Sequence, residues 1–120
     1  MLIEFTVENF LSFKDPTTLS MVMAKSFKEH KESVTEISGC NMSLLKSAVV
    51  YGNNASGKSN LIKAMNFMKS TVLNSFRDAL MENSERKFSL QKYALNTKSE
   101  NETSFFEISF IQNETKFRYG

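Results

Sequence analysis

Residues 52–59 read GNNASGKS, and the residues that follow them carry apolar side chains at helical spacing. These residues match G-x-x-x-x-G-K-[ST], a pattern that binds phosphate where a strand precedes it and a helix follows. One apolar stripe runs along residues 58–80, formed by Leu61, Met65, Met68, Val72 and Phe76, with Ile62 and Leu73 at its edge. This periodicity predicts an amphipathic helix that begins directly after the second glycine of the pattern.

Residues 47–51, immediately before the pattern, read SAVVY and show no alternation of apolar and polar side chains. A short continuous apolar run is typical of a strand that is covered on both faces. We therefore predict a strand, a loop and a helix in succession over residues 47–80. Phe67 falls near the polar side of the predicted helix, so we expect another element to cover it.

The loop pattern has a physical basis in the chemistry of phosphate groups. Its two glycines allow successive backbone N–H groups to face an anion, and the start of a helix adds further N–H groups. Lys58 can reach the β- and γ-phosphates, and the Ser59 hydroxyl can be a ligand of Mg²⁺. The candidate nucleotide-binding residues are therefore Gly52, Asn53, Asn54, Ala55, Ser56, Gly57, Lys58, Ser59 and Asn60. The alternative interpretation is a glycine turn between a strand and a helix, with Lys58 in solvent.

Alternating segments near both ends of the sequence predict antiparallel β-structure. Residues 2–10 alternate, and the apolar face of this predicted strand is formed by Ile3, Phe5 and Val7. Residues 17–24 can return beside it as a second strand. Residues 106–119 alternate on both sides of a polar turn, which predicts a hairpin. The polar, irregular residues 25–41 predict a loop.

The composition is that of one ordinary soluble domain, or of part of one. The chain has 120 residues, of which 41% are hydrophobic and 23% charged, and a formal net charge of +2. That charge is too small to predict nucleic acid as a partner, and no stretch approaches the roughly 20 apolar residues that cross a membrane. His30 has no metal-ligating neighbour at the usual spacing, and Cys40 has no second cysteine, which fits a reducing compartment. We expect a cytoplasmic protein without a membrane partner.

Two motifs together resemble a known family. Residues 9–13 read NFLSF, and about 40 residues further on residues 52–61 read GNNASGKSNL. The pair resembles the ATP-binding heads of the ABC type in the RecF, SMC and OLD-nuclease branch. Within that branch the chain looks most like the bacterial AAA-family ATP-binding proteins, many of which accompany phage-defence systems. Leu11 stands where the family usually has Arg, so any contact of that Arg with nucleotide is missing here.

The resemblance implies an α/β fold, namely the N-terminal lobe of a P-loop NTPase. An antiparallel β subdomain from residues 1–24 and 103–120 is expected beside a core strand–P-loop–helix unit over residues 47–80. These segments are expected to form the N-terminal part of a single ABC-type head domain, whose remainder belongs to a longer protein.

The resemblance also implies ATP and Mg²⁺ as ligands and a homodimer in which two heads sandwich ATP, with DNA or an effector protein as a further partner. The family's catalytic acids and its Leu-Ser-Gly-Gly signature have no counterpart in these 120 residues. We therefore expect the full-length protein to hydrolyse ATP, in DNA metabolism or phage defence, and the 120 residues alone to be inactive. The alternative function is a nucleotide-responsive binding module without appreciable turnover.

Overall fold

The structure is a computed structural model that describes residues 1–24, 26, 29–37, 42–54, 56–80, 90–95 and 101–120. It combines two antiparallel sheets with one long helix, which agrees with the predicted α/β class. The strands are β1 (Leu2–Glu8), β2 (Thr17–Ser20), β3 (Val34–Ile37), β4 (Met42–Leu45), β5 (Phe105–Gln112) and β6 (Thr115–Tyr119). The helix is α1 (Lys58–Leu80), and a short 3₁₀ turn spans Lys31–Ser33.

The larger sheet has four strands in the order β2-β1-β5-β6. β1 is central, and Phe5 on this strand lies opposite Leu19 of β2 on one side and Ile108 of β5 on the other. The sheet therefore brings together strands that are far apart in the sequence. The strands predicted from alternation at residues 2–10 and in the 106–119 hairpin are confirmed.

The β5–β6 hairpin closes through a turn whose backbone matches the twist of its strands. Asn113 and Glu114 have φ of 49° and 62°, the left-handed conformation that a tight two-residue hairpin turn requires. Across the hairpin Arg118 donates a hydrogen bond to Glu107 over 2.8 Å. This hydrogen bond and the charge of Glu107 raise the pKa of the exposed Arg118 guanidinium above its ordinary value. This exposed ion pair links the two strands at the surface.

A β-bulge near the start of β1 separates the apolar side chains of this strand into two clusters. The pairing of β1 with β5 shifts register at Ile3. Ile3 packs with Leu44 of β4, whereas Phe5 and Val7 pack in a separate cluster with α1. An extra residue in a strand turns its neighbour to the other face of the sheet. The prediction that these three apolar residues of β1 share one face is therefore wrong for Ile3.

A second, two-stranded sheet lies partly within the stretch that is predicted to be a loop. β3 pairs with β4 in antiparallel register, with Val34 opposite Leu45. The fully buried side chain of Leu44 joins this sheet to β1 by packing against Ile3. The prediction of a loop over residues 25–41 is therefore wrong for β3 and for the 3₁₀ turn. Residues 34–37 form a strand because they pair with β4, and the composition of the segment does not reveal that contact.

α1 packs against the sheet through the apolar stripe that the sequence predicts. Its buried side chains are Ala64 and Met68, with Leu61 and Met65 partly buried around them. Val72 of the predicted stripe is 40% exposed, so the contact with the sheet weakens along the helix. The side chain of Phe76 lies outside the described part of the chain. The predicted bounds of the helix are confirmed.

Phe67 is covered by aromatic rings from two other elements. Its ring centroid lies 5.4 Å from that of Phe10, in the turn after β1, and 5.1 Å from that of Phe106 in β5. Phe10 and Phe106 also contact each other, with centroids 5.1 Å apart. The expectation that another element covers Phe67 is confirmed. Each such ring pair stabilises a fold by about 0.5–1.5 kcal/mol beyond its buried area, so this cluster helps to hold α1 on the sheet.

Residues 47–51 do not form the predicted buried strand. They adopt no regular secondary structure, and Val49 and Tyr51 are 84% and 90% exposed. A strand covered on both faces needs neighbouring strands for its N–H and C=O groups. No described strand pairs with these residues. The prediction of a strand at 47–51 is therefore wrong in this structure. Of the predicted strand, loop and helix, the structure contains the loop and the helix.

The side chain of Asn9 joins separate segments of the chain at the end of β1. Asn9 is 2% exposed, and its Nδ2 donates to the Glu102 carbonyl over 3.0 Å. Its Oδ1 accepts the Tyr93 N–H over 3.2 Å, and the Ser104 hydroxyl donates to the Asn9 carbonyl over 2.6 Å. The φ of 47° at Asn9 also directs the chain into the turn that follows β1. One buried amide thus holds three parts of the chain together.

We expect Asn9→Ala to lower the free energy of unfolding by about 3 kcal/mol, because it removes two hydrogen bonds of about 1 kcal/mol each and leaves a left-handed alanine that costs about 1 kcal/mol. Asn113→Ala is the matched control, since Asn113 shares the left-handed φ but is exposed at the β5–β6 turn. This control should lose only about 1 kcal/mol, the cost of a left-handed alanine. Urea unfolding of both variants measures the difference. Equal losses would mean that backbone conformation alone explains the role of Asn9.

Candidate functional site

The described residues of the glycine-rich loop, 52–54 and 56–57, lead directly into α1. The Gly57 carbonyl accepts the Asn60 N–H over 2.9 Å and the Leu61 N–H over 3.1 Å, so Gly57 precedes the first turn of the helix. Its φ of 88° is a conformation that favours glycine. The first N–H groups of an α-helix have no partner within the helix and carry the positive end of its dipole. The loop therefore ends at a helix terminus that attracts anions.

The side-chain amine of Lys58 lies against the carbonyl oxygens of the loop. Its Nζ donates to the Gly52 carbonyl over 2.7 Å and to the Asn53 carbonyl over 2.6 Å. A third, longer contact of 3.3 Å joins Nζ to Ser56 Oγ. The side chain thus folds back from the first turn of α1 over the loop. The positive charge of Lys58 therefore lies beside the carbonyl oxygens of the loop.

The NFLSF turn after β1 contacts the loop through Ser12. Phe10 and Phe13 exchange backbone hydrogen bonds of 3.0 and 2.9 Å, which close a tight turn. The Asn60 side-chain amide donates to Ser12 Oγ over 3.1 Å. A Cβ placed on Gly57 would lie 2.8 Å from Ser12 Oγ, too close for an ordinary contact. The backbone conformation of position 57 therefore favours glycine, and a larger residue there would also have to displace the Ser12 hydroxyl.

The remaining predicted residues lie around the same loop. Five of them are exposed, namely Gly52, Asn53, Asn54, Ser56 and Ser59. The Ser56 N–H donates to the Asn53 carbonyl over 3.2 Å, which tightens the loop. A Cβ on Gly52 would lie 2.8 Å from Ser56 Oγ, the end of a short side chain that can turn away. Ala55 lies outside the described residues. The structure thus gathers the described members of the predicted set around one helix end.

Residues 90–95 also lie at this helix end, although the sequence carries no motif or periodicity that marks them. The Leu11 N–H donates to the Gln91 carbonyl over 2.9 Å, and the Tyr93 N–H is bonded to Asn9, as described above. The NFLSF motif marks the turn after β1, but its spacing does not show which distant segment the turn contacts. Hydrogen bonds of their backbone to Asn9 and Leu11 hold residues 90–95 in this position. The composition of a segment does not indicate such long-range bonds.

Other side chains with reactive or ligating groups do not gather into a site in the part of the chain that the structure describes. His30 Nδ1 and Glu32 Oε1 lie 3.1 Å apart, and both side chains are exposed. No group of three or more His, Cys, Asp or Glu side chains among the described residues is arranged to hold a metal ion. Cys40 lies outside those residues. Within the same described ranges, no helix has the length and apolar character needed to cross a membrane.

A comparison with models of protein families matches residues 47–120, more than half of the chain. The family is described as "AAA domain, putative AbiEii toxin, Type IV TA system". The chain belongs to this AAA domain family. The matched part of the AAA domain contains the glycine-rich loop, α1 and the β5–β6 hairpin. Comparisons with curated proteins and with solved structures gave no match to the chain.

Membership in an AAA domain family supports nucleotide binding and ATPase activity, for which ATP and Mg²⁺ are the general ligands. The loop of this AAA domain combines a lysine with the start of a long helix. Gly57 has the left-handed φ with which the loop enters α1, and the Ser12 hydroxyl lies close beside it. Lys58 supplies a cation against the loop carbonyls, and α1 supplies its positive end.

We expect Gly57→Ala to destabilise the AAA domain by about 2 kcal/mol, because a left-handed alanine is strained and its Cβ overlaps Ser12. In a Ser12→Ala background the overlap with Oγ is absent, so the same substitution should cost about half as much. Urea unfolding of the single and double variants measures this coupling. Gly52→Ala is the control and should cost the same in both backgrounds. An equal cost of Gly57→Ala in both backgrounds would contradict the contact.

Proposed function

We propose that the loop of residues 52–59 binds the phosphates of Mg-ATP. The observation that carries this proposal is the position of Lys58 Nζ, 2.7 and 2.6 Å from the Gly52 and Asn53 carbonyls, at the start of a 23-residue helix. A cation and a positively polarised helix end on one glycine-rich turn form a strong site for a multiply charged anion. Membership in the AAA domain family supports ATP as that anion.

The residues of the loop have separate roles in this proposal. Backbone N–H groups along residues 52–59 donate to phosphate oxygens, and Lys58 exchanges its loop carbonyls for oxygens of the β- and γ-phosphates. The exposed Ser59 hydroxyl would hold Mg²⁺, which would supply neutralisation of negative charge on the phosphates. The polar side chains of the loop and Asn60 surround these groups. The arrangement binds and partly neutralises the phosphates without covalent chemistry.

We further propose that the full-length protein is an ABC-type head of the RecF, SMC and OLD-nuclease branch. The NFLSF motif at residues 9–13 and the GNNASGKSNL motif at residues 52–61 support this assignment. Such heads pair across two ATP molecules, so the proposed assembly is a homodimer that acts on DNA or on an effector protein. The proposed setting is cytoplasmic, in DNA metabolism or phage defence. Hydrolysis there requires a water placed in line with the γ-phosphate by residues outside the loop.

A second candidate function is nucleotide binding without turnover. The 120 residues contain no run of four apolar residues followed by Asp-Glu, and Glu107 on the sheet is paired with Arg118. This function applies if no other part of the protein supplies an acid to orient water, since a phosphate-binding loop alone adds little to hydrolysis. Phosphate release by the full-length protein, beside its Lys58→Ala variant, separates the two functions. Turnover that depends on Lys58 favours the ATPase, and binding without turnover favours the switch.

We expect Lys58→Ala to weaken ATP binding about 100-fold, because a lost charged hydrogen bond costs up to about 3 kcal/mol. Lys69→Ala is the matched control, since Lys69 is an exposed lysine on the same helix, eleven residues beyond Lys58 in the sequence. This control should bind ATP as the wild type does. Isothermal titration calorimetry with ATP and Mg²⁺ measures both affinities. An unchanged affinity in Lys58→Ala would show that the loop does not bind phosphate.

We expect Ser59→Ala to lower the affinity for ATP more in the presence of Mg²⁺ than in its absence, since its hydroxyl is the proposed metal ligand. The loss with Mg²⁺ should be about tenfold, as for one metal-ligand contact of about 1.4 kcal/mol. Ser70→Ala, an exposed serine further along α1, serves as the control. Titrations in Mg²⁺ and in EDTA provide the comparison. Equal losses in the two buffers would assign Ser59 a role other than metal binding.

A further inference from the structure

The Ser12 hydroxyl joins the turn after β1 to the start of α1. Its oxygen accepts a hydrogen bond from the Asn60 side-chain amide over 3.1 Å, although the two residues are 48 positions apart in the sequence. The same oxygen lies 2.8 Å from the point that a Cβ on Gly57 would occupy. One exposed hydroxyl therefore lies beside the two residues that flank Lys58 and Ser59 in the chain.

The turn that carries Ser12 is held by contacts that do not involve the phosphate loop. Phe10 and Phe13 exchange backbone hydrogen bonds within the turn. The Leu11 N–H donates to the Gln91 carbonyl over 2.9 Å. The Phe10 ring is buried and packs in the aromatic cluster described above. A turn packed on the sheet in this way gives the hydroxyl a fixed position, against which the start of α1 is placed.

The start of α1 depends on this contact most when nucleotide is bound. Without nucleotide, the Lys58 amine bonds to the Gly52 and Asn53 carbonyls and so ties the first turn of the helix to the loop. In the proposed function, phosphate oxygens replace those carbonyls as partners of the amine. The bond between Asn60 and Ser12 uses no atom that the phosphates need, so nucleotide does not displace it.

Phosphate binding at a helix end is sensitive to the orientation of that end. An N–H···O hydrogen bond weakens steeply when the donor angle leaves its preferred range. The N–H groups of the first turn and the Ser59 hydroxyl belong to one regular piece of backbone, so rotation of that turn misaligns all of them together. A contact that prevents this rotation therefore contributes to affinity without touching the ligand.

We propose that Ser12 is a positioning residue of the phosphate loop that acts through the side-chain amide of Asn60, a proposal that rests on the proposed function. The hydroxyl fixes the first turn of α1 against the turn after β1, so that the helix N–H groups and the Ser59 hydroxyl face the phosphates together. Ser12 itself does not contact the nucleotide. The turn after β1 thereby connects the strength of phosphate binding to the packing of the sheet.

The experiment measures the affinity of the full-length protein for ATP in Mg²⁺ by isothermal titration calorimetry. Ser12→Ala should weaken binding about fivefold, the contribution of one hydrogen bond. Ser12→Thr keeps a hydroxyl and should bind ATP as the wild type does. Ser20→Ala is the matched control, since Ser20 is also exposed and its hydroxyl donates to Glu4 on β1 over 3.3 Å. This control should leave the affinity unchanged.

A double-variant cycle tests whether Ser12 acts through Asn60. In an Asn60→Ala background, Ser12→Ala should weaken binding no further, because the amide that the hydroxyl holds is absent. A direct contact of Ser12 with the nucleotide would instead give the same loss in both backgrounds. That result would overturn the proposal.

Hydrogen exchange without nucleotide provides a readout that a merely structural role would not move. The Leu61 N–H, bonded to the Gly57 carbonyl over 3.1 Å, should exchange about fivefold faster in Ser12→Ala. The Met21 N–H, bonded to the Ile3 carbonyl over 2.8 Å, should exchange at its wild-type rate. Equal acceleration at both amides would indicate a general loss of stability and would overturn the proposal.

Lys58→Ala separates the positioning role from the proposed function. If the wild type does not bind ATP, or if Lys58→Ala binds it equally well, the proposed function fails and the role of Ser12 fails with it. If Lys58→Ala weakens binding and Ser12→Ala does not, the proposed function stands and the positioning role is overturned. Weaker binding in Ser12→Ala, restored in Ser12→Thr and absent in the Asn60→Ala background, supports both.

Discussion

The candidate site depends on one buried amide, that of Asn9. An amide can donate and accept at once, so this side chain binds the Glu102 carbonyl and the Tyr93 N–H together, at the point where β1 ends. The same residue takes the left-handed conformation that starts the turn carrying Ser12. The groups around the start of α1 are therefore positioned by the end of the central strand and by its buried polar contacts.

α1 connects the two halves of this arrangement. Its middle is held by the ring cluster of Phe10, Phe67 and Phe106, and its first turn carries Lys58 and the contact of Asn60 with Ser12. Because a helix is stiff over a few turns, ring packing in its middle limits the movement of its first turn. Apolar packing thus supports a polar site that is itself largely open to solvent.

The sequence predicts those parts of the fold that have a local period or motif. The bounds of α1 and the β5–β6 hairpin follow from spacing alone, and the loop of residues 52–59 follows from its glycines and its lysine. Three features have tertiary causes that spacing does not contain. The bulge at Ile3 depends on register with β5, and β3 depends on pairing with β4. The segment 47–51 has the composition of a buried strand, but a strand forms only where a neighbour pairs with it.

The site shows the same division between local pattern and tertiary contact. The pattern identifies Lys58 and Gly57, but it does not reveal that Ser12 lies where a Cβ on Gly57 would be. Nor does it identify the segment 90–95, which reaches the helix end through hydrogen bonds to the turn after β1. These contacts join residues about 80 positions apart in the chain, beyond the reach of any periodicity in one sequence.

The hydrogen bonds of Lys58 to its own loop also bear on which anions the protein responds to. The amine already has two carbonyl partners, so an incoming ion must displace acceptors that are covalently held beside it. A singly charged ion such as chloride gains little from that exchange, because it replaces two well-placed dipoles with one diffuse charge. A polyphosphate offers several charges at once and gains much more. In the proposed function, the carbonyl partners of Lys58 therefore favour polyphosphates over chloride as ligands of the loop.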